Sequence, residues 1–382
     1  MTGENWWKWT AGQKGGHPSL SMAFLAAAAT MLILTILTVW KGAVLPNTAS
    51  AGKTTISNGE IVKLGAQNIY SFSVIPGERG ITTDRDDKIM LLQPDGSLKA
   101  LIGDANIFSS QPTWSPDGKR FAFIGGKRNN GPGLWIANAD GTGLIALAKP
   151  DNSLNVFYEK PSWSPDGRWI AFTREITADY PTHGHYTVSL TIWAIRPDGT
   201  GLHQVTDGSN PTWSPDGQRL AFESRPDLKT ATDSEIWTCD LNGDNLQRVA
   251  SGIEPAWSPD GHSIAYVRMV AVTAMLGNDS SGTPLCKMRW DGREIWVISL
   301  STGKTIQLTE SRMDNEVANN WLQETRRRGD QAKDDNLLIA SAMYDDWFPT
   351  WLYDSKSLIF TRNCNNERGP HFVLYRIDLK YE

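Results

Sequence analysis

The apolar and polar positions of this chain recur in a fixed order. Five short apolar triplets, Phe121-Ala122-Phe123, Ile170-Ala171-Phe172, Leu220-Ala221-Phe222, Ile264-Ala265-Tyr266 and Leu358-Ile359-Phe360, each follow the same polar turn. The turn reads Trp-Ser-Pro-Asp-Gly at 114–118, 163–167, 213–217 and 257–261, with a worn copy at Trp351–Ser355. Ser at its first position can bond the backbone, Pro presets φ at the second, Asp suits the third and Gly closes the fourth, so a type I turn between two short strands is predicted. Ahead of each turn stands a Pro two residues before the Trp: Pro112, Pro161, Pro211, Pro255 and Pro349.

A third apolar segment follows each triplet: Leu134–Ala137, Ile192–Ile195, Ile236–Cys239, Ile295–Ile298 and Leu374–Ile377. After the first four of these comes a turn rich in Asp, Asn, Gly and Ser, then a fourth strand such as His203–Thr206 or Ile306–Thr309. Four strands per unit at this period are the pattern of a propeller blade. Counting Lys88–Leu92 as a further third strand gives six blades. Seven is the alternative, because one interval between signatures is about twice the others. The first blade lacks the signature, and Ile69–Val74 and Gly80–Thr83 are its expected inner strands. Asn58–Gly65 reads as a fourth strand with no blade of its own, while Leu374–Ile377 has no fourth strand after it. Glu60–Leu64 is therefore expected to close the last blade, leaving no open sheet edge.

On these signatures the unit resembles the PD40, or TolB-like, variant of the WD40-type repeat, over residues 58–382. The resemblance implies an all-β, six-bladed propeller that works through protein contacts, without catalysis and without a cofactor. It is incomplete: TolB carries an N-terminal α/β domain where this chain has an apolar run. Oligogalacturonate lyases, with a similar repeat, hold a divalent metal through His, and an enzyme of that kind would require His183, His185, His203 and His371 to converge. No metal site is expected without that convergence.

The apolar run is Leu20–Trp40, free of charged residues. At ~1.5 Å per residue it is long enough to cross the ~30 Å hydrocarbon layer. It is too long for the apolar segment of a signal peptide, and Ala49-Ser50-Ala51, the available cleavage site, lies far beyond it. The expected order is a tail over 1–19, a retained transmembrane anchor over 20–40, a linker over 41–57 and the propeller over 58–382, held by one span on the outer side of the cell membrane. The partner is then a membrane-associated protein, and an accessory subunit of a larger membrane complex fits this plan. A net charge of −5 over 382 residues offers no basic footprint, so nucleic acid is not an expected partner.

Turns between strands one and two, and three and four, share one face of a propeller and are uniformly tight here. Length variation falls on the other face, in Gly125–Gly133, Arg174–Thr191, Arg225–Glu235, Arg268–Glu294, Asn363–His371 and Glu310–Trp347. Loops on a rigid scaffold carry function, which makes this the expected binding face. Its candidate residues are Tyr180, His183, His185, Tyr186, Arg289, Trp290, Trp321, Arg326, Arg327 and Arg328. The three Arg end a short amphipathic helix predicted over Glu316–Arg328, where a solvated helix end competes with an anion site. No Gly-x-Ser-x-Gly motif is present, and no catalytic residue is assigned. Cys286 and Cys364 fall on this face in consecutive blades, so a disulfide between them competes with two free thiols, while Cys239 is expected to be buried and inert.

Overall fold

A computed structural model describes residues 56–57, 61–67, 69, 71–77, 80–93, 97–102, 106–127, 132–149, 155–179, 185–225, 234–278, 284–311, 344–364 and 372–381. The apolar run, Tyr180, His183, Trp321, the three Arg and His371 lie outside the described residues. Among the described residues no helix is long and apolar enough to cross a membrane.

Strands β1–β26 run in chain order: β1 Ile56–Ser57, β2 Ile61–Gln67, β3 Phe72–Val74, β4 Ile81–Arg85, β5 Lys88–Leu92, β6 Leu98–Ala100, β7 Ile107–Trp114, β8 Arg120–Lys127, β9 Gly133–Asn138, β10 Ile145–Ala148, β11 Asn155–Trp163, β12 Ile170–Asp179, β13 His185–Ile195, β14 His203–Asp207, β15 Ser209–Trp213, β16 Arg219–Ser224, β17 Glu235–Asp240, β18 Gln247–Ser251, β19 Ile253–Trp257, β20 Ser263–Asn278, β21 Pro284–Ser299, β22 Thr305–Gln307, β23 Tyr344–Trp351, β24 Ser357–Cys364, β25 Phe372–Asp378 and β26 Lys380–Tyr381. They form six four-stranded antiparallel sheets among the described residues, so the count is six blades. Blade 1 is β3–β6, blades 2 to 5 follow in order, and blade 6 is ordered β2-β25-β24-β23.

The ring closes as the sequence implies, with β2 as the outermost strand of the last blade and Ile61 opposite Ile377. A second pairing reinforces it: Ile56 lies opposite Tyr381 and Ser57 opposite Lys380, so two residues assigned to the linker are paired. In blade 1 the first inner strand is shorter than expected, starting at Phe72, although Ile69 is fully buried beside it.

The core is six wedges, one at each blade interface. Phe121 and Phe123 pack on blade 1 with Ile75, Ile89 and Ile102, while Ala122 between them faces blade 3 and meets Trp163 and Phe172. The alternation of a strand explains the triplet: large residues fill one wedge and a small one accepts the next blade's Trp. Each signature Trp turns onto the preceding blade. Its indole N–H often bonds there, as Trp114 does to Thr82 Oγ1 (2.9 Å), Trp213 to the Ser162 carbonyl (3.1 Å) and Trp351 to the Ala256 carbonyl (3.1 Å). Where Trp163 and Trp257 stand, the guanidinium groups of Arg120 and Arg219 from the preceding blade lie over the rings, 5.5 and 5.1 Å from the centroids.

The predicted type I turn is present. Gly118 N–H donates to the Ser115 carbonyl (2.8 Å), Ser115 Oγ donates to Asp117 Oδ1 (2.7 Å), and the same oxygen accepts Lys119 N–H (3.0 Å). These bonds, the Ser hydroxyl's first and the backbone amide's second, hold the Asp117 carboxyl below its ordinary range. The closing Gly sits at φ 65–75° in all four signatures, and in the worn copy Ser355 takes the same conformation at φ 54°.

Candidate functional site

Strand one of every blade lines a central channel of about 590 Å³. It is an edge strand, which is why Pro is tolerated in it: no partner strand calls for the missing N–H. Each signature-bearing blade breaks register there, between Ser110 and Thr113, Glu159 and Ser162, Ser209 and Thr212, Ile253 and Ala256, and Trp347 and Thr350. The residue before Pro is the bulge residue, in the left-handed region: Gln111 (φ 52°), Lys160 (49°), Asn210 (53°), Glu254 (54°) and Phe348 (55°). All five line the channel, near the loop-rich end of the shorter inner strands. Farther along, Pro116, Pro165, Pro215, Pro259 and Tyr353 form its turn-rich mouth.

A bulge leaves an amide without a ladder partner, and here side chains replace it in a rule that runs around the ring. The acceptor comes from the preceding blade at the position just after the triplet: Asp84 Oδ2 for Gln111 N–H (3.3 Å), Thr173 Oγ1 for Asn210 N–H (2.9 Å) and Glu223 Oε1 for Glu254 N–H (2.7 Å). In blades 2 and 5 that position is apolar, Ile124 and Val267, and the blade's own bulge residue substitutes. Gln111 Oε1 accepts Lys160 N–H (2.6 Å), and Glu254 Oε2 accepts Phe348 N–H (2.7 Å). The sequence reading passed over these residues. Their signal was present in the residue before each Pro and the one after each triplet, which must be read across blades rather than within one.

Electrostatics concentrate in this zone. Burial pushes the Glu254 carboxyl up to about 7, against the pull of Lys160 and the Phe348 amide. Burial and then Glu175 raise Glu159 as well. Glu223, 1% exposed, also accepts from Asn210 Nδ2 and lies 3.4 Å from Arg225 Nη2. In blade 6 the buried Asp346 is raised by desolvation and held by a bidentate Arg362, at 2.6 and 2.7 Å.

The loop-rich face differs from the expected set of loops. Arg174–Thr191 and Arg268–Glu294 are largely paired strand: β12 and β13 pair from Ile170↔Ile195 to Asp179↔His185 with one bulge after Ile176, and β20 and β21 pair in unbroken register from Ser263↔Ser299 to Asn278↔Pro284. Alternating β-branched and apolar residues such as Val270 and Val272 carry the pairing outward beyond the blade. Blade 1, by contrast, turns there in two residues, Asp86 and Asp87, at φ 53° and 59°.

Of the sequence-chosen binding residues, those described stand on two blades, His185 and Tyr186 on β13 and Arg289 and Trp290 on β21. Tyr186 is exposed near the outer end of β13, and Arg289 and Trp290 lie in the ribbon opposite Thr273 and Val272. His185 starts β13, whereas His203 pairs with Ala194 near its other end. Nine residues of strand, at ~3.3 Å each, place the two at opposite faces of the ring. His203 is therefore no partner for a loop-face metal site; it stacks edge-on against Trp169, and its Nδ1–H donates to the Gly201 carbonyl (2.8 Å). Among the described residues no group of three metal-ligating side chains assembles. Cys286 lies opposite Leu276 in the β20–β21 ribbon, and Cys364 lies opposite Tyr344 at the end of β24. Cys239 is fully buried and its thiol is pushed up to about 12 by burial, then by Asp240, which makes it inert.

No family model and no curated protein sequence matches the chain. Among solved structures it is similar to TolB from Acinetobacter baumannii, at 16% identity over 75% of this chain and 59% of that one, with a TM-score of 0.42. It is also similar to oligogalacturonate lyase from Vibrio parahaemolyticus, at 13% identity over 82% and 78%, with a TM-score of 0.49. A third is the β-propeller domain of the trilobed protease from Pyrococcus furiosus, at 14% identity over 71% and 69%, with a TM-score of 0.40. At this distance no activity passes from them to this chain. The six-bladed propeller rests on the strand pairing itself.

Proposed function

We propose that this protein is a membrane-tethered, extracytoplasmic binding propeller, which takes a membrane-associated protein partner on its loop-rich face as an accessory subunit of a larger complex. The observation that carries the reading is the asymmetry of the two faces. The turn-rich face is made of tight four-residue turns, while the other face carries the projecting ribbons β12–β13 and β20–β21. The chain's entry supports it. β1 pairs with β26, beyond the end of β25, so the chain enters the propeller at the turn-rich face. In this reading the propeller binds rather than catalyses, and protein contacts do the work.

The test compares mild-detergent pull-downs of the full-length protein and of a variant whose β20–β21 ribbon is cut back, with 271–291 replaced by Asn-Gly. Partners enriched by the wild type and lost by the trimmed variant are expected. Identical partner sets would remove the loop-rich face from the reading, and carbonate extraction of the whole protein from membranes would remove the tether.

A further inference from the structure

Blades 3 and 6 stand opposite each other in the six-bladed ring, yet Lys160 of the one and Phe348 of the other touch. Lys160 Nζ lies 3.8 Å from the centroid of the Phe348 ring. The contact therefore spans the channel at the level of the bulge residues. Both ends are fixed by backbone geometry, since each bulge amide is held by a side chain of the preceding blade, at 2.6 and 2.7 Å. The residue holding Phe348 is Glu254, which itself lines the channel and whose charge acts on Lys160. Glu254 uses Oε2 for the Phe348 amide, which sets the carboxyl group beside that residue. An aromatic face with a carboxylate beside it is the arrangement that recognises an alkylammonium ion.

We propose that the Phe348 ring, with the Glu254 carboxylate near it, forms a seat for a primary ammonium group inside the channel, its ring face covered in the free protein by Lys160 and taken over by a lysine side chain of a partner. Lys160 is suited to be displaced. Its four-carbon stem is flexible, and an ammonium is strongly hydrated, so leaving the ring for the water of the channel costs little compared with breaking a buried ion pair. The occupant is an ammonium rather than an anion because the Phe348 face and the carboxyl groups of Glu254 and Glu223 attract a cation, and Lys160 already shows one on the ring. Glu223 from β16 lies on the same side, and Arg293 from β21 lies over Trp347 at 3.8 Å. The seat deepens the partner reading above but does not depend on it, since it can be probed with small amines alone.

The experiment is saturation-transfer NMR on the full-length protein in mild detergent, with three probes. Nα-acetyl-lysinamide carries only the side-chain ammonium, Nα-acetyl-norleucinamide is its neutral isostere, and alaninamide carries only an α-ammonium. Lys160→Met empties the seat while keeping the stem. It should bind acetyl-lysinamide about tenfold or more tightly than the wild type does, ignore the norleucine probe, and lose the gain in Lys160→Met/Phe348→Leu and Lys160→Met/Glu254→Gln. Binding should strengthen between pH 6 and pH 8 as Glu254 ionises, given its value of about 7. Equal binding of the norleucine probe, or no gain on emptying the seat in a protein whose melting curve is unchanged, overturns the proposal. Preference for alaninamide overturns the lysine assignment in favour of a chain terminus. Should Lys160→Met fail to fold, the wild type titrated with acetyl-lysinamide, with and without Phe348→Leu, decides the same question: loss of binding with the ring supports the seat, and unchanged binding removes it.

Discussion

The two faces of the propeller are built from the same strands and obey different rules. On the turn-rich face four signatures repeat to the letter, and each turn packs on its neighbour: a Cβ added to Gly167 or Gly261 would meet the preceding blade's Pro116 or Pro215 at 3.4 or 3.2 Å. A turn that touches its neighbour in a closed ring has little freedom to change. On the loop-rich face the same strands either reverse in two residues, as at Asp86-Asp87, or continue as ribbons past the end of the blade. Nothing there has to fit a six-fold seam, so length is free to vary. Between the faces, the ring of bulge amides is the one zone that is both closely fitted and chemically varied.

The comparison is broken most severely by opening the ring. Deleting 58–65 removes five of the seven residues of β2, leaves β25 as an open edge and strips Ile61 from the wedge formed with Leu358, Phe360 and Ile377. A loss of soluble folding, or a fall of several degrees or more in the melting temperature of the soluble propeller, is the expected result. An unchanged melt would refute closure.

The bulge ring comes next. Glu223→Ala leaves the Glu254 amide and Asn210 Nδ2 without their acceptor and Arg225 without its carboxylate. Leaving buried donors unsatisfied should cost about 2–4 kcal/mol in urea unfolding, with Glu223→Gln recovering roughly half.

Acid titration tests the same zone. Burial raises Glu254 from its ordinary 4.5 to about 7, so between those values the folded protein keeps a proton that the unfolded chain has lost. Stability contributed by this residue is therefore full below about pH 4.5 and declines as pH rises to about 7. Urea midpoints across that window should show a downward trend that Glu254→Gln flattens; parallel curves for the two proteins would sink the assignment.

A smaller effect is expected at the worn turn. Ser355 holds φ 54°, where the four intact signatures have Gly. Ser355→Gly should raise stability by about 0.5–1 kcal/mol, seen as a rise of a degree or two in melting temperature. A fall would mean that the Ser side chain compensates for its own backbone.

Smallest of all is the predicted effect of trimming the ribbon. Replacing 271–291 with Asn-Gly should leave the melting temperature within about a degree or two, because among the described residues the hairpin feeds the wedges through Ile264, Ala265, Tyr266, Ile295, Val297 and Ile298, all outside the replaced stretch. A large loss would show that the ribbon belongs to the scaffold.

How much of this was legible in the sequence follows from which interactions are local. The turn, the triplet and the strand order are set by neighbours along the chain, and Trp-Ser-Pro-Asp-Gly carries its own hydrogen bonds within five residues, as Ser115, Asp117 and Lys119 show. Those are legible in the sequence, together with closure by 60–64, because an unpaired fourth strand and a missing one can be counted. What the chain could not disclose alone depends on contacts between blades. Lys160 and Phe348 are far apart in sequence and meet only because a six-fold ring puts their blades opposite each other. His185 and His203 look close in sequence and are separated by the length of one strand. Arg268–Glu294 looked like a loop because periodicity says nothing of pairing beyond a blade, and only the cross-strand register made it a ribbon. Sequence determined the repeating unit, since its forces act over a few residues; the tertiary structure decided the channel, since its side chains converge from six separate blades.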